Sequence, residues 1–262
     1  MENELPLIIG HRGAASVAPE NTLASFERAM QDGADGIEFD VQLSSDGVPV
    51  VIHDPTLART ASIKEHVARV SAAELAQTDV GSWFSRQHKA SADYSGERLP
   101  NLHQVLNRFK RQNAMLYLEM KSKSGELALA KAVVEAIQNE SMEGNIIVSS
   151  FDMSLIREIK RIDKSIRTGA LFEPKLSRPF DLVRKKKLID IARVNRADEI
   201  ALHYRLISSR IVEEARQSQM PVVIWTVDNP VWIDRARILG IKALITNNPA
   251  VMVQYRKQNR LQ

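Results

Sequence analysis

Short runs of β-branched and aliphatic residues recur eight times along the chain, and most of the gaps between them carry apolar residues at helical spacing. The runs are Leu7–Gly10, Gly36–Leu43, Ala114–Met120, Asn145–Ser149, Thr168–Phe172, Glu199–Leu202, Pro221–Val227 and Lys242–Thr246. The helical stretches are Thr22–Gln31, Gly125–Gln138, Met153–Arg161, Asp181–Val194, Ser208–Ser218 and Pro230–Leu239. This alternation builds a parallel sheet with crossover helices. Eight such strands close naturally into a (β/α)8 TIM barrel, an α/β fold of about 250 residues whose functional groups sit at the C-terminal strand ends. The 262 residues therefore read as one barrel domain, 1–262, with an open doubly wound sheet as the alternative.

One segment breaks the pattern. Ser44-Ser45-Asp46-Gly47 separates the second strand from Val48–His53, and so short a turn joins only antiparallel strands. Val48–His53 should therefore fold back as a hairpin beside the barrel mouth. Between it and Ala114 the only helical signals are short, at Ser71–Gln77 and Leu102–Lys110. A stretch that long exceeds an ordinary loop. Residues of about 54–113 are expected to form a small insertion subdomain that caps the mouth and overhangs the leaving group of a substrate.

Composition narrows the chemistry. With 44% hydrophobic and 26% charged residues the chain suits a soluble globule. No apolar run nears the ~18 residues of a transmembrane span. Leu5–Ile9 is too short for a signal-peptide core and follows Glu2 and Glu4, so a cytoplasmic location is expected. There is no cysteine, which excludes thiolate ligands and nucleophiles and leaves oxygen and imidazole chemistry. The charge is +4, with its densest cluster at Arg184-Lys185-Lys186-Lys187. No aromatic residue interleaves that run as a stacking platform would, so it reads as a solvated helix face, with no nucleic-acid partner. A mildly positive field favours a small anionic substrate, and the chain leaves a homo-oligomer open.

In Gly36–Leu43 polar and apolar residues alternate strictly, which sends Ile37, Phe39, Val41 and Leu43 to one face and Glu38, Asp40 and Gln42 to the other. The apolar face suits the helix layer, so two carboxylates point into the barrel. Glu119 and Lys121 share a face at the end of Ala114–Met120 in the same way. Three oxygen donors without a thiol suit a hard divalent cation, Mg²⁺ or Ca²⁺, while a buried ion-pair network is the competing reading. His11 and His53 end the first strand and the hairpin. Cleavage of a phosphodiester needs one group to take a proton from the nucleophile and another to protonate the leaving alkoxide, and imidazole serves both. Arg12 and Lys121 would offset the phosphate charge.

The ordered set His11-Arg12-Gly13, Pro19-Glu20-Asn21-Thr22, Glu38-Phe39-Asp40-Val41, Asp46-Gly47, His53-Asp54, Leu57 and Arg59-Thr60 resembles the glycerophosphodiester phosphodiesterase family. The resemblance continues through Leu99-Pro100-Asn101-Leu102, Leu118-Glu119-Met120-Lys121, Ser150-Phe151, Trp225-Thr226-Val227-Asp228 and Ile245-Thr246. It implies a distorted barrel with an insertion at its mouth and hydrolysis of glycerophosphodiesters to an alcohol and sn-glycerol 3-phosphate. It also implies metal binding by Glu38, Asp40 and Glu119, acid–base catalysis by His11 and His53, and substrate contact by Arg12, Lys121 and Trp225. Lysophospholipase D cleavage and a non-catalytic binding barrel are the alternatives. Three places depart from the family pattern. Asn247 stands where an aspartate is common, Ala61–Glu65 replaces a glycine-containing turn, and Ala201-Leu202-His203-Tyr204 lacks the usual proline.

Overall fold

The computed structural model describes residues 5–88, 92–121, 126–174 and 182–259. Its strands are β1 (Leu7–His11), β2 (Gly36–Leu43), β3 (Pro49–Val51), β4 (Met115–Met120), β5 (Ile146–Ser150), β6 (Arg167–Phe172), β7 (Glu199–His203), β8 (Val222–Trp225) and β9 (Ala243–Thr246). All pair in parallel except β3, which runs antiparallel to β2. Because β1 pairs with both β9 and β2, the eight parallel strands close on themselves, which excludes the open sheet.

The period of two set by each strand sorts the side chains into layers. Ile37, Phe39 and Val41 face outward against Phe26 and Ala29 of the helix Leu23–Gln31 and Val133 of the helix Glu126–Glu140. Ile9, Tyr117, Ile147, Leu171, Ala201, Val223 and Ile245 fill the barrel interior. Each helix after a strand returns the chain to the bottom of the barrel, and the C-terminal strand ends stay free to carry chemistry. No helix among the described residues is long and apolar enough to cross a membrane.

The insertion between β3 and β4 has its own small apolar cluster, Leu57, Val67, Leu75, Val80 and Leu99, seated on Val50 and Ile52. Asn101 closes a capping box that starts the helix Leu102–Phe109. The final helix, Pro249–Gln258, lies outside the helical stretches read from the sequence. Its start was nonetheless written there: Asn248 caps it and Pro249 takes a first-turn position, where a missing N–H costs nothing. The basic run 184–187 falls in the helix Leu182–Val194, with its side chains outside the described residues.

Candidate active site

Seven of the eight residues singled out by sequence line one cavity of about 380 Å³ at the C-terminal strand ends: His11, Arg12, Glu38, His53, Glu119, Lys121 and Trp225. The eighth, Asp40, is only 1% exposed and stands behind them in the wall. One carboxylate oxygen each from Glu38, Asp40 and Glu119 lie within 4.8 Å of one another.

Local backbone chemistry explains how so many charges are brought together. After β1 the chain turns sharply, with Arg12 at φ 52° and Gly13 at φ 87°. A Cβ at Gly13 would meet Ser25 Oγ at 2.4 Å, so only glycine permits this approach to the next helix. The turn aims the Arg12 backbone N–H at Glu38 Oε2, 3.0 Å away, and its Nη1 at Glu20 Oε1, 2.7 Å away. Thr22 caps the helix Leu23–Gln31, while the Asn21 amide grips Asp40, its Nδ2 donating to Oδ2 at 2.8 Å and its Oδ1 accepting from the Asp40 N–H.

The electrostatics favour a bound cation. Lys121 Nζ lies 2.5 Å from Glu119 Oε1 and 3.1 Å from Asp40 Oδ1, and Arg12 Nε is 3.2 Å from Asp40 Oδ2. Three carboxylates thus share two cationic partners, and Asp40 has the larger share. Burial would raise the Asp40 pKa, but Lys121, Arg12, His53 and Asn21 together hold it below the usual carboxylate range. Glu38 is pushed well up by burial and by its neighbours Asp40 and Glu119. Glu119 rises to about 7 by burial and the charge of Asp40, with Lys121 offsetting only part. Raised pKa values at Glu38 and Glu119 are expected of oxygen ligands whose charge a hard divalent ion would offset. The residues therefore fit Mg²⁺ or Ca²⁺.

Glu119 titrates near 4.5 when unfolded and near 7 when folded, so its proton stabilises the native state most at acid pH. That stability is lost as pH rises through about 7, and Glu38 acts in the same direction. The Tm of metal-free protein should fall between pH 5 and 8, and Mg²⁺ or Ca²⁺ should raise Tm more at pH 8 than at pH 5. A metal-induced shift that is equal at both pH values, or larger at pH 5, would contradict this.

The two histidines are held differently. His11 Nδ1 is 2.7 Å from Asn247 Oδ1, and Asn247 Nδ2 donates to Asp228 Oδ2 at 2.9 Å, which fixes the amide orientation. His11 thus donates from Nδ1 to a neutral oxygen and presents a bare Nε2. Burial, then the adjacent Arg12, lowers its pKa. His53 Nδ1 instead donates to the Asp54 carboxylate at 2.6 Å, which fixes the ring's orientation. The Gln42 amide holds the backbone there through the carbonyls of Ile52, His53 and Asp54.

Sequence reasoning missed the bracing behind these groups. Arg59 donates to both oxygens of Glu20 and to Asp54 Oδ2, so a chain of ion pairs runs from Arg12 through Glu20, Arg59 and Asp54 to His53. Asn247, noted only as a departure from a pattern, orients His11. None of the described residues of 54–113 lines the cavity, and the insertion reaches the site's side chains through Asp54 and Arg59. Trp225 packs edge-on against Phe151 at 5.5 Å and His203 at 5.3 Å, forming the opposite rim.

Residues 11–251 match the model of the glycerophosphoryl diester phosphodiesterase family. The chain belongs to that family. A glycerophosphodiester phosphodiesterase of Caldanaerobacter subterraneus is 31% identical over 94% of this chain and 96% of its own length. One from Bacillus subtilis is 27% identical over 96% of this chain and 86% of its own. Among solved structures, an Oleispira antarctica phosphodiesterase in complex with the product sn-glycerol-3-phosphate superposes with a TM-score of 0.83 at 25% identity, covering 97% of each chain. Membership makes this family member a phosphoric diester hydrolase by class.

Proposed function

We propose that the protein hydrolyses glycerophosphodiesters to an alcohol and sn-glycerol 3-phosphate, with a divalent cation on Glu38, Asp40 and Glu119 and with His11 and His53 as base and acid. The observation that carries this reading is the convergence of three carboxylates, two fixed cations and two differently backed imidazoles on one cavity. A divalent cation held by Glu38, Asp40 and Glu119 would supply Lewis-acid polarisation of a phosphoryl oxygen. Arg12 and Lys121 offset the charge of the remaining phosphoryl oxygens. His11, with Nε2 bare, takes the proton of the nucleophile, whether water or a glyceryl hydroxyl of the substrate. His53, backed by Asp54, gives its proton to the departing alkoxide. Trp225 supplies an apolar wall beside the diester.

In this reading the insertion acts through Arg59 and Asp54 as a brace. Asp54→Asn should cost about 10- to 100-fold in kcat, a usual loss when the partner orienting a reactive imidazole is weakened. The loss should shrink on a nitrophenyl diester, whose leaving group scarcely needs an acid. An Asp54→Asn loss equal on natural and nitrophenyl diesters would contradict the brace.

A substrate panel tests the reaction itself. Glycerophosphocholine, glycerophosphoethanolamine and glycerophosphoglycerol should each yield sn-glycerol 3-phosphate with Mg²⁺ or Ca²⁺ present and none with EDTA. Turnover of a lysophospholipid alone, or of nothing, would contradict the assignment. We also place the activity in the cytoplasm, where fractionation should recover it apart from membranes.

A further inference from the structure

The cavity is divided by charge. The lining side chains that are or can become cationic, His11, Arg12, His53 and Lys121, stand at the ends of β1, β3 and β4, beside Glu38 and Glu119. The facing wall comes from β5 to β8, which are neighbours in the sheet, and among the described residues it holds no lysine or arginine. Its carboxylates are Glu199, which is buried and paired with Lys242, and Glu173, just past the end of β6. Glu173 is exposed and has neither a hydrogen bond nor an ion pair among the described residues. The same wall carries two aromatic rings, Phe151 just past β5 and Trp225 at the end of β8. Phe151 is 41% exposed, and its ring stands at 83° to that of Trp225. Its backbone is pinned from both sides, since Ser150 Oγ donates to the Met120 carbonyl and accepts from the Asp152 N–H, and Asp152 caps the helix Met153–Ile162. Trp225 is braced in turn by His203, whose ring meets it at 90°.

A phosphodiester carries its negative charge on the phosphoryl group, which Arg12 and Lys121 draw to the first half of the cavity. Groups beyond the phosphoryl meet the opposite wall. Ring faces beside a free carboxylate attract a cation and repel an anion, because the quadrupole of each ring is negative over its face. A primary ammonium has three N–H donors best met by water, whereas a quaternary ammonium has none to lose and packs its methyl groups on the rings. We infer that Phe151, Trp225 and Glu173 form a subsite for a quaternary ammonium carried by the leaving alcohol, so that the enzyme selects choline diesters by charge as well as by size. This subsite rests on the proposed diesterase reading, which leaves the alcohol open.

The test compares glycerophosphocholine with its neutral isostere, the 3,3-dimethylbutyl ester of glycerol 3-phosphate, in which carbon replaces nitrogen. The ratio of the two kcat/KM values is measured with Mg²⁺ present for wild type, Glu173→Gln and Phe151→Leu. The esters match in size and differ in charge, and any difference in leaving-group acidity is common to every variant, so the change of ratio on substitution reads the subsite. Wild type should prefer the choline ester by about 10-fold, as a cation over ring faces beside a carboxylate implies. Glu173→Gln should bring the ratio down to about 3-fold, and Phe151→Leu, which keeps bulk but removes a ring face, should lower it as well. Added salt should shrink the wild-type ratio toward that of Glu173→Gln, because the carboxylate is exposed. An exposed, unpaired side chain contributes little to folding, so Glu173→Gln should keep the wild-type Tm and be readable even where Phe151→Leu unfolds. Equal kcat/KM on the two esters by wild type, or a ratio that survives the substitutions, would overturn the subsite. So would a higher kcat/KM on glycerophosphoethanolamine than on glycerophosphocholine. Failure of wild type on every diester would instead overturn the diesterase reading itself.

Discussion

His11→Ala and His53→Ala are each expected to lower kcat on glycerophosphocholine by about 10²- to 10⁴-fold, the usual contribution of a positioned acid or base. They should part company on bis(p-nitrophenyl) phosphate. Its leaving group is already acidic, so the His53 variant should recover most of its activity, whereas the His11 variant should not, because activation of the nucleophile is still required. The direction of this split comes from the partners. Burial and Arg12 keep the His11 ring neutral, with Nδ1 on the Asn247 amide and Nε2 free to accept, whereas the His53 ring is held through Nδ1 by the Asp54 carboxylate, which leaves its Nε2 to face the leaving group. The reverse pattern of rescue would exchange the two roles, and near-normal kcat in both folded variants would remove them from the chemistry.

Glu38→Gln and Asp40→Asn should each cost about 10³-fold or more, since a Lewis acid contributes several kcal/mol and roughly 1.4 kcal/mol is a factor of ten. Their effects on metal-free stability should have opposite signs, which separates a metal site from a plain ion-pair network. Glu38 is a buried carboxylate crowded by Asp40 and Glu119, so removing its charge should leave the metal-free protein as stable as before or more so, while the stabilisation by added Mg²⁺ disappears. Asp40 pairs with Lys121 and Arg12, and removing its charge leaves two cations poorly compensated, so Asp40→Asn should destabilise the metal-free protein as well. Calorimetry with and without Mg²⁺ reads both. Loss of stability in both variants, with the Mg²⁺ response unchanged, would support the network alone.

Much of the fold and of the site is legible in the sequence alone. Strict alternation in Gly36–Leu43 placed Glu38 and Asp40 on the inner face because a strand has only two faces, and the ends of the eight parallel strands lie within two residues of their expected positions. Contacts between distant segments were not legible. Arg59 meets Glu20 across 39 positions and Asn247 meets His11 across 236, and no local period encodes such pairings. The insertion was legible as an excess of residues, but its place relative to the cavity was not, since that depends on how its apolar cluster seats on Val50 and Ile52.

The most direct test is phosphorus NMR of glycerophosphocholine incubated with metal-stripped protein during stepwise addition of Mg²⁺ and, separately, Ca²⁺. The stripped protein should produce no sn-glycerol 3-phosphate, and its signal should grow in proportion to the metal-bound fraction, with activity saturating at one equivalent of tightly bound ion. Full hydrolysis by protein verified to be metal-free, or a metal-loaded protein that releases no sn-glycerol 3-phosphate, would contradict the account.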